Sequence, residues 1–392
     1  MTTKIEAAIA MIKCAVTGEP VALPEGYETN QTINLLFKQG LLTMGYTAAM
    51  ICQCPMDEKS HRIVLDRYCM DVVRSEQQME KVQAISDAFE ENGIDYMPVK
   101  GALLKHMYPN PEMRKMSDAD ILIRQEQYEK IIPVMKALGF TESGESDHEH
   151  IWTSDYLKVE LHKRLMPTYH KDYYSFFGEG WDLAKIQNGH RWSMTEEDAF
   201  IYNFIHFAKH YRDGEGNCRF VIDLWVHMRC HPELDMDYIR RKMADMRMEA
   251  FYDNIMRVIE TWFGDRPWDE VTERITQVLF TVDAEERKQA HAVARSVHAT
   301  HTYGDARAAE KNYRKQILFP DRDHMNWSYP QWKKVPLPIA WVLRWFHLVF
   351  FRRKTVQERS HQQTISEQQR ESYRKDLEYV GLQFSDAVVL PD

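Results

Sequence analysis

A change of period near residue 93 constrains this chain more than any other feature. Upstream of it, apolar residues recur every three or four positions in "IEAAIAMIKCAV", in "TINLLFKQGLL" and through "RIVLDRYCMDVVRSEQQMEKVQAISDAFEENG", the spacing of amphipathic helices. Residues 3 to 92 therefore read as helices, closed at Asn92 and Gly93 as by a left-handed cap. Downstream, the period shortens to that of strands. "IDYMPVK" and "DADILI" read as strands, separated by a helix "ALLKHMY" that Gly101 opens and Pro109 and Pro111 break. "QYEKIIPVMKALGF" is a helix ended by Gly139, and "HEHIWTS" and "LKVELHKRL" are two further strands joined around Asp155 and Tyr156. The order strand, helix, strand, helix, strand, strand predicts an α/β (α+β) fold with a small mixed sheet and helices packed on it.

After Thr195 the helical period returns. "TEEDAFIYNFIHFAKHY" opens with a capping box from Thr195 to Asp198, which makes Asp198 a cap rather than a ligand; "FVIDLWVHMRC" follows, and further helical runs reach about residue 312. The remainder is a Trp-rich stretch and then the polar, helix-forming "TVQERSHQQTISEQQRESYRKDLEYV". The expected division is a helical segment over 1–92, the sheet core over 93–194, a helical domain over 195–312 and a Trp-rich extension over 313–392. A chain of 392 residues, 44% of them hydrophobic, can bury cores of that number. Within the extension, "VPLPIAWVLRWFHLVFF" is shorter than the roughly 20 residues of a membrane span and carries Arg344 and His347 near its middle. Burial against its own domain or a partner is expected, with membrane contact through an interfacial helix over 335–354, flanked by "RRK", as the alternative.

The net charge of -9 offers no global basic surface, which argues against a duplex DNA binder while leaving room for a local positive groove. The N-terminus has a helical rhythm rather than that of a secretion signal, so a cytoplasmic location is expected. The six cysteines are scattered. Cys52 and Cys54 in "ICQCP" are too closely spaced for a zinc knuckle and lack a second pair, and reduced thiols fit. His206 and His210 share one helix face, but "HFAKH" lacks the Glu that a zinc hydrolase places after its first His.

Chemistry concentrates between Val99 and His162. Asp118 and Asp120 lie one residue apart in an apolar strand, so both point to the same face at short range. Cations are needed to keep two such carboxylates ionised, and Glu160 in "KVELH" offers a third acid to complete a cage for one or two Mg ions, with Val159 and Leu161 facing the core. Lys100 and Gly101 stand where a strand turns into a helix, which presents free N–H groups and a full charge to a phosphate. Arg114 adds a second cation. His162 shares the face of Glu160, where it can orient that carboxylate or touch substrate. The helix carrying His206 and His210, with Lys209, Arg219 and Asp223 nearby in sequence, is expected to close the cleft and contact nucleotide.

These elements resemble the DNA polymerase beta-type nucleotidyltransferase superfamily, and within it a family of uncharacterised bacterial nucleotidyltransferases. The resemblance rests on Lys100 and Gly101, Tyr108 and Pro109, Arg114, Asp118 and Asp120, and "VELH" from Val159 to His162. It covers roughly residues 90 to 225, with a weaker echo in "LFPDRDHMNWSYP". The resemblance implies metal-dependent nucleotidyl transfer with Mg2+ or Mn2+ as cofactor, Asp118, Asp120 and Glu160 as catalytic metal ligands, and a nucleoside triphosphate such as ATP as substrate. The acceptor, whether small molecule, protein or RNA, stays open. Gly101 is followed by Ala102, where the superfamily has Gly-Gly or Gly-Ser, so the grip on triphosphate would lean on Lys100. Two other readings accompany this one: a toxin-like relative that modifies RNA or protein, and a non-catalytic scaffold whose Trp-rich tail holds a partner or membrane.

Overall fold

The computed structural model describes residues 1–168, 171–281, 283–303, 315, 318–320, 322, 325, 328–351 and 365–382. The N-terminal helices are α1 (Thr3–Thr17), α2 (Thr29–Lys38), α3 (Leu42–Ile51) and α4 (Glu58–Glu91). Asp57 starts α4 by accepting the Ser60 N–H at 3.0 Å. Gly93 ends the segment with a φ of +61°, the left-handed geometry that its lack of a Cβ permits.

Among the described residues the sheet has seven strands where the sequence suggests four. β1 (Tyr96–Val99), β2 (Asp118–Ile123), β4 (Glu149–Thr153) and β5 (Lys158–His162) match the expected strands. β3 (Thr141–Glu145), β6 (Ala184–Asn188) and β7 (Arg191–Met194) are the additions. The order is β3-β4-β5-β2-β1-β7-β6, so β3 and β6 lie at the edges. Edge strands such as "TESGE" and "AKIQN" expose most of their residues and lack the apolar alternation that reveals a half-buried strand. Between β1 and β2, α5 (Gly101–Leu104) is a single turn, continued by 3-10 turns over Lys105–Met107 and Pro111–Met113. Tyr108 is already extended, at ψ 150°, because the following Pro109 disfavours the helical region.

One sheet face carries Ala119, Ile121, Ile123, Val159 and Leu161, packed on Ile85 and Phe89 of α4 and on Ile131 and Met135 of α6 (Tyr128–Ala137). Met97, Val99 and Leu122 point the other way, into a second and larger core. That core joins α1 to α3 with α7 (Lys171–Phe177), α8 (Glu196–Arg212), α9 (Arg219–Cys230), α10 (Met236–Asp245), α11 (Glu249–Phe263) and α12 (Glu270–Leu279). Helices separated by the whole sheet in sequence thus share one apolar interior. The Thr195 hydroxyl caps α8 by accepting the Asp198 N–H at 3.1 Å, but the box is not completed, because the Asp198 carboxylate accepts the Tyr238 hydroxyl at 2.9 Å.

Further helices among the described residues are α13 (Ala284–Tyr303), α14 (Leu337–Phe351) and α15 (Glu367–Tyr379). α13 ends the described part of the run expected to reach 312, and 304–312 lie outside the described residues. α14 packs Ala340 and Trp341 near Met325 and Tyr329, while Ile339, Val342, Leu343 and Phe346 stay exposed, so the Trp-rich helix is buried on one side only. Its "RRK" flank, 352–354, and residues 355–364 of the polar run lie outside the described residues. Among the described residues no helix is long and apolar enough to cross a membrane.

Candidate active site

Alternation along β2 sends Ala119, Ile121 and Ile123 into one core and Asp118, Asp120 and Leu122 to the opposite face. β5 runs parallel beside it with Lys158 opposite Asp118, Glu160 opposite Asp120 and His162 opposite Leu122. β4 continues the row antiparallel, with Glu149 opposite His162. Lys158, Glu160, His162 and Glu149 are thereby collected on the face that carries the two aspartates. Ligand atoms of Asp120, Glu160 and His162 lie within 4.8 Å of one another, so Glu160 reaches Asp120.

Lysines hold the acids together. The Lys100 ammonium donates to Asp120 Oδ1 at 2.8 Å, and His162 Nε2 lies 2.8 Å from the same oxygen. Lys158 bonds Glu160 and sits 3.6 Å from Asp118 Oδ2. The repulsion expected to await a metal is thus already offset by two ammonium groups. Burial works to raise the Asp120 carboxyl, but Lys100 and then His162 outweigh it and hold Asp120 well below the usual range. Asp118 moves the other way, raised by burial and then by Asp120 and Glu160. Glu149 is pushed up to about 7, by burial first and Glu160 second. Burial would lower Lys100, yet Asp120 raises it further. Lys100 also has a φ of +48°, a region costly for a side-chain-bearing residue by about 1–3 kcal/mol. The strain places its ammonium at the turn between β1 and α5. Gly101 has a different cause: a Cβ there would lie 2.8 Å from Arg114 Nη1 and 3.3 Å from Met116 Cγ.

Arg114 lines the cleft above the aspartates, but part of its guanidinium is already held. Its Nε and Nη2 donate to Asp223 Oδ1 and Oδ2 at 2.9 and 3.0 Å, and the Tyr108 hydroxyl donates to Oδ1 at 2.6 Å, all buried. The pair ties the β1–β2 connection to α9. Above the aspartates a cleft of about 510 Å³ opens to solvent. Lys100, Gly101, Asp118 and Asp120 line one side, Asn203 and His206 of α8 and Arg219 of α9 another. Arg219 Nε is a buried donor with no hydrogen-bond partner. Glu160 is not on the cleft wall and joins the site across the strand. His162, 1% exposed, does not line the cleft and lies against Asp120. His210 faces Glu215 at 3.1 Å and does not line the cleft. With α5 a single turn, the expected helix-terminal dipole is small. Glu149 and Lys158 escape the sequence reading, although "KVELH" carries the alternation that puts Lys158 on the acidic face.

Three histidines, His148 and His206 beside the site and His150 on the opposite sheet face against Tyr128, give the fold a pH signature. Burial is the largest cause in each: it pushes His148 down to about 3 and His150 to about 4, and His206 falls well below the ordinary 6.5. A histidine kept neutral by the fold contributes stability above its unfolded pKa, and that contribution is lost as pH falls toward the folded value. Glu149 acts with opposite sign, losing stability as pH rises from its ordinary 4.5 through about 7. Asp118, raised as well, acts in the same direction as Glu149; three imidazoles against two carboxyls leave the urea midpoint expected to be lower at pH 5 than at pH 7.5. An equal or higher midpoint at pH 5 would show that these imidazoles are solvated.

Carboxylates gathered across two parallel strands of a mixed sheet, beside a strained lysine turn and under a polar cleft, define a nucleotidyltransferase-like architecture. The chain belongs to the family described as uncharacterised nucleotidyltransferases, whose sequence model matches residues 29–264. The match extends beyond the 90–225 of the visible motifs, taking in α2 to α4 and α10 and α11, and it leaves the echo at 318–330 outside. No curated protein and no solved structure matches the chain.

Proposed function

We propose that this chain transfers a nucleoside monophosphate from a nucleoside triphosphate to an acceptor hydroxyl or phosphate, using Mg2+ or Mn2+ held by Asp118, Asp120 and Glu160. The observation that carries the reading is the convergence of Glu160 on Asp120 from a neighbouring strand. Three carboxylates are hard oxygen donors and suit these ions. When bound, such ions lower the pKa of an attacking hydroxyl and neutralise the leaving pyrophosphate. The protein's own groups do the rest. His162 and Lys100 fix the direction of Asp120, and Lys158 does the same for Glu160. Lys100 and Arg219, both on the cleft wall, supply positive charge toward a triphosphate, and Arg219 has an unpaired buried N–H to offer. Arg114 holds the turn through Asp223 and also lines the cleft, where it adds positive charge.

Magnesium or manganese with a non-hydrolysable triphosphate is expected to raise the melting temperature, since a ligand at 100 times its Kd adds about 2.7 kcal/mol to a fold it alone recognises. No shift at millimolar ligand would instead favour the non-catalytic scaffold. Labelled triphosphates incubated with the chain and a cell extract would then reveal the acceptor, and label on RNA or protein would mark a toxin-like activity.

A further inference from the structure

We propose that Glu196, His227 and His231 form a separate cation site, for zinc or a similar borderline divalent metal, that fastens the start of α8 to the end of α9. Glu196 lies in the first turn of α8, and His227 and His231 are four apart at the end of α9, where that spacing puts both rings on one side. Glu196 Oε2 is 3.2 Å from His227 Nε2 and 3.4 Å from His231 Nε2, and all three ligand atoms fall within 4.8 Å of one another. Around a tetrahedral ion with bonds of about 2.0–2.1 Å, adjacent ligand atoms are about 3.3–3.4 Å apart.

A simple ion pair accounts for less. The His227 side chain is fully buried, and neither ring nitrogen makes a hydrogen bond even though Nε2 is so near the carboxylate. An orphaned buried polar atom is costly, and a cation between the three groups would satisfy it. His231 turns its other nitrogen, Nδ1, to Glu233 Oε1 at 3.2 Å, the carboxylate partner that commonly orients a metal-binding imidazole. Two imidazoles and one carboxylate suit zinc, whereas the three carboxylates on the sheet suit magnesium. Glu196 and His231 are partly exposed, which leaves room for water as a fourth ligand. None of the three lines the cleft, yet α8 carries Asn203 and His206 and α9 carries Arg219 and Asp223. The metal would therefore fix the spacing of two cleft walls.

The proposal stands apart from the nucleotidyl reading and is tested separately. The full chain is stripped with chelator, dialysed against zinc and assayed for bound metal, and then titrated with cobalt(II), whose visible spectrum reports coordination. One ion per chain with a tetrahedral cobalt spectrum is expected. His231→Gln and Glu196→Gln alter partly exposed side chains, so the fold should survive; each should weaken binding by more than the roughly 10–100-fold that loss of an outer hydrogen-bonding partner costs. The paired change Asp120→Asn with Glu160→Gln, and separately His148→Gln, should leave the zinc in place. Absence of zinc from the parent chain, its retention in both α8 and α9 variants, or its loss only when the sheet residues change would overturn the assignment.

Discussion

Glu160→Gln is expected to lower nucleotidyl transfer by at least about 10³-fold, the several kcal/mol that a correctly placed divalent ion supplies to a charged transition state. The carboxylate faces Asp120 across the β2–β5 ladder, so its loss removes a charge from the metal-holding set without changing shape. Stability should barely move. Lys158 loses its partner, but its side chain is 38% exposed and a pair so close to solvent is worth about 1 kcal/mol or less. Removing the Glu160 charge also relaxes Glu149, which is raised partly by it. Transfer is read from label passing out of a triphosphate, and stability from urea denaturation of the same samples. Parent-level transfer in the variant would remove Glu160 from the site.

Asp223→Ala should be the most damaging single change to stability near the cleft. Its carboxylate accepts two bonds from the Arg114 guanidinium and one from the Tyr108 hydroxyl, with Arg114 7% and Asp223 4% exposed. Truncation leaves a buried guanidinium without its counter-charge, a loss of about 3–5 kcal/mol when one partner of a buried pair is removed. Tyr108→Phe deletes a single bond to a carboxylate and should cost about 1.5–3 kcal/mol. The contrast between the two is read by chemical denaturation. A cost below 1 kcal/mol for Asp223→Ala would mean that another anion or water takes over the guanidinium.

Local periodicity made part of this molecule legible. Period-three-and-four spacing marked α1, α2 and α4, and Gly93 stopped the last of them because only a residue without a Cβ enters the left-handed region freely. Period-two spacing in "DADILI" and "KVELH" placed Asp118, Asp120, Glu160 and His162 on faces opposite their apolar neighbours. β3 and β6 stayed hidden, since an edge strand wetted on both faces carries no such rhythm. Arg114 read as a second cation, and nothing local showed that Asp223, 109 residues away, holds its guanidinium. The histidines give the same lesson. His206–His210 and His227–His231 have identical spacing, yet only the second pair meets a carboxylate in a metal-like cluster among the described residues. By itself, then, the sequence determined the type of the strongly periodic elements, the face of each acid along its strand and the family. Only the tertiary structure decided which charges meet, because strand order and helix docking are set by the burial of apolar faces between distant segments, and the polar side chains are carried wherever that packing takes them.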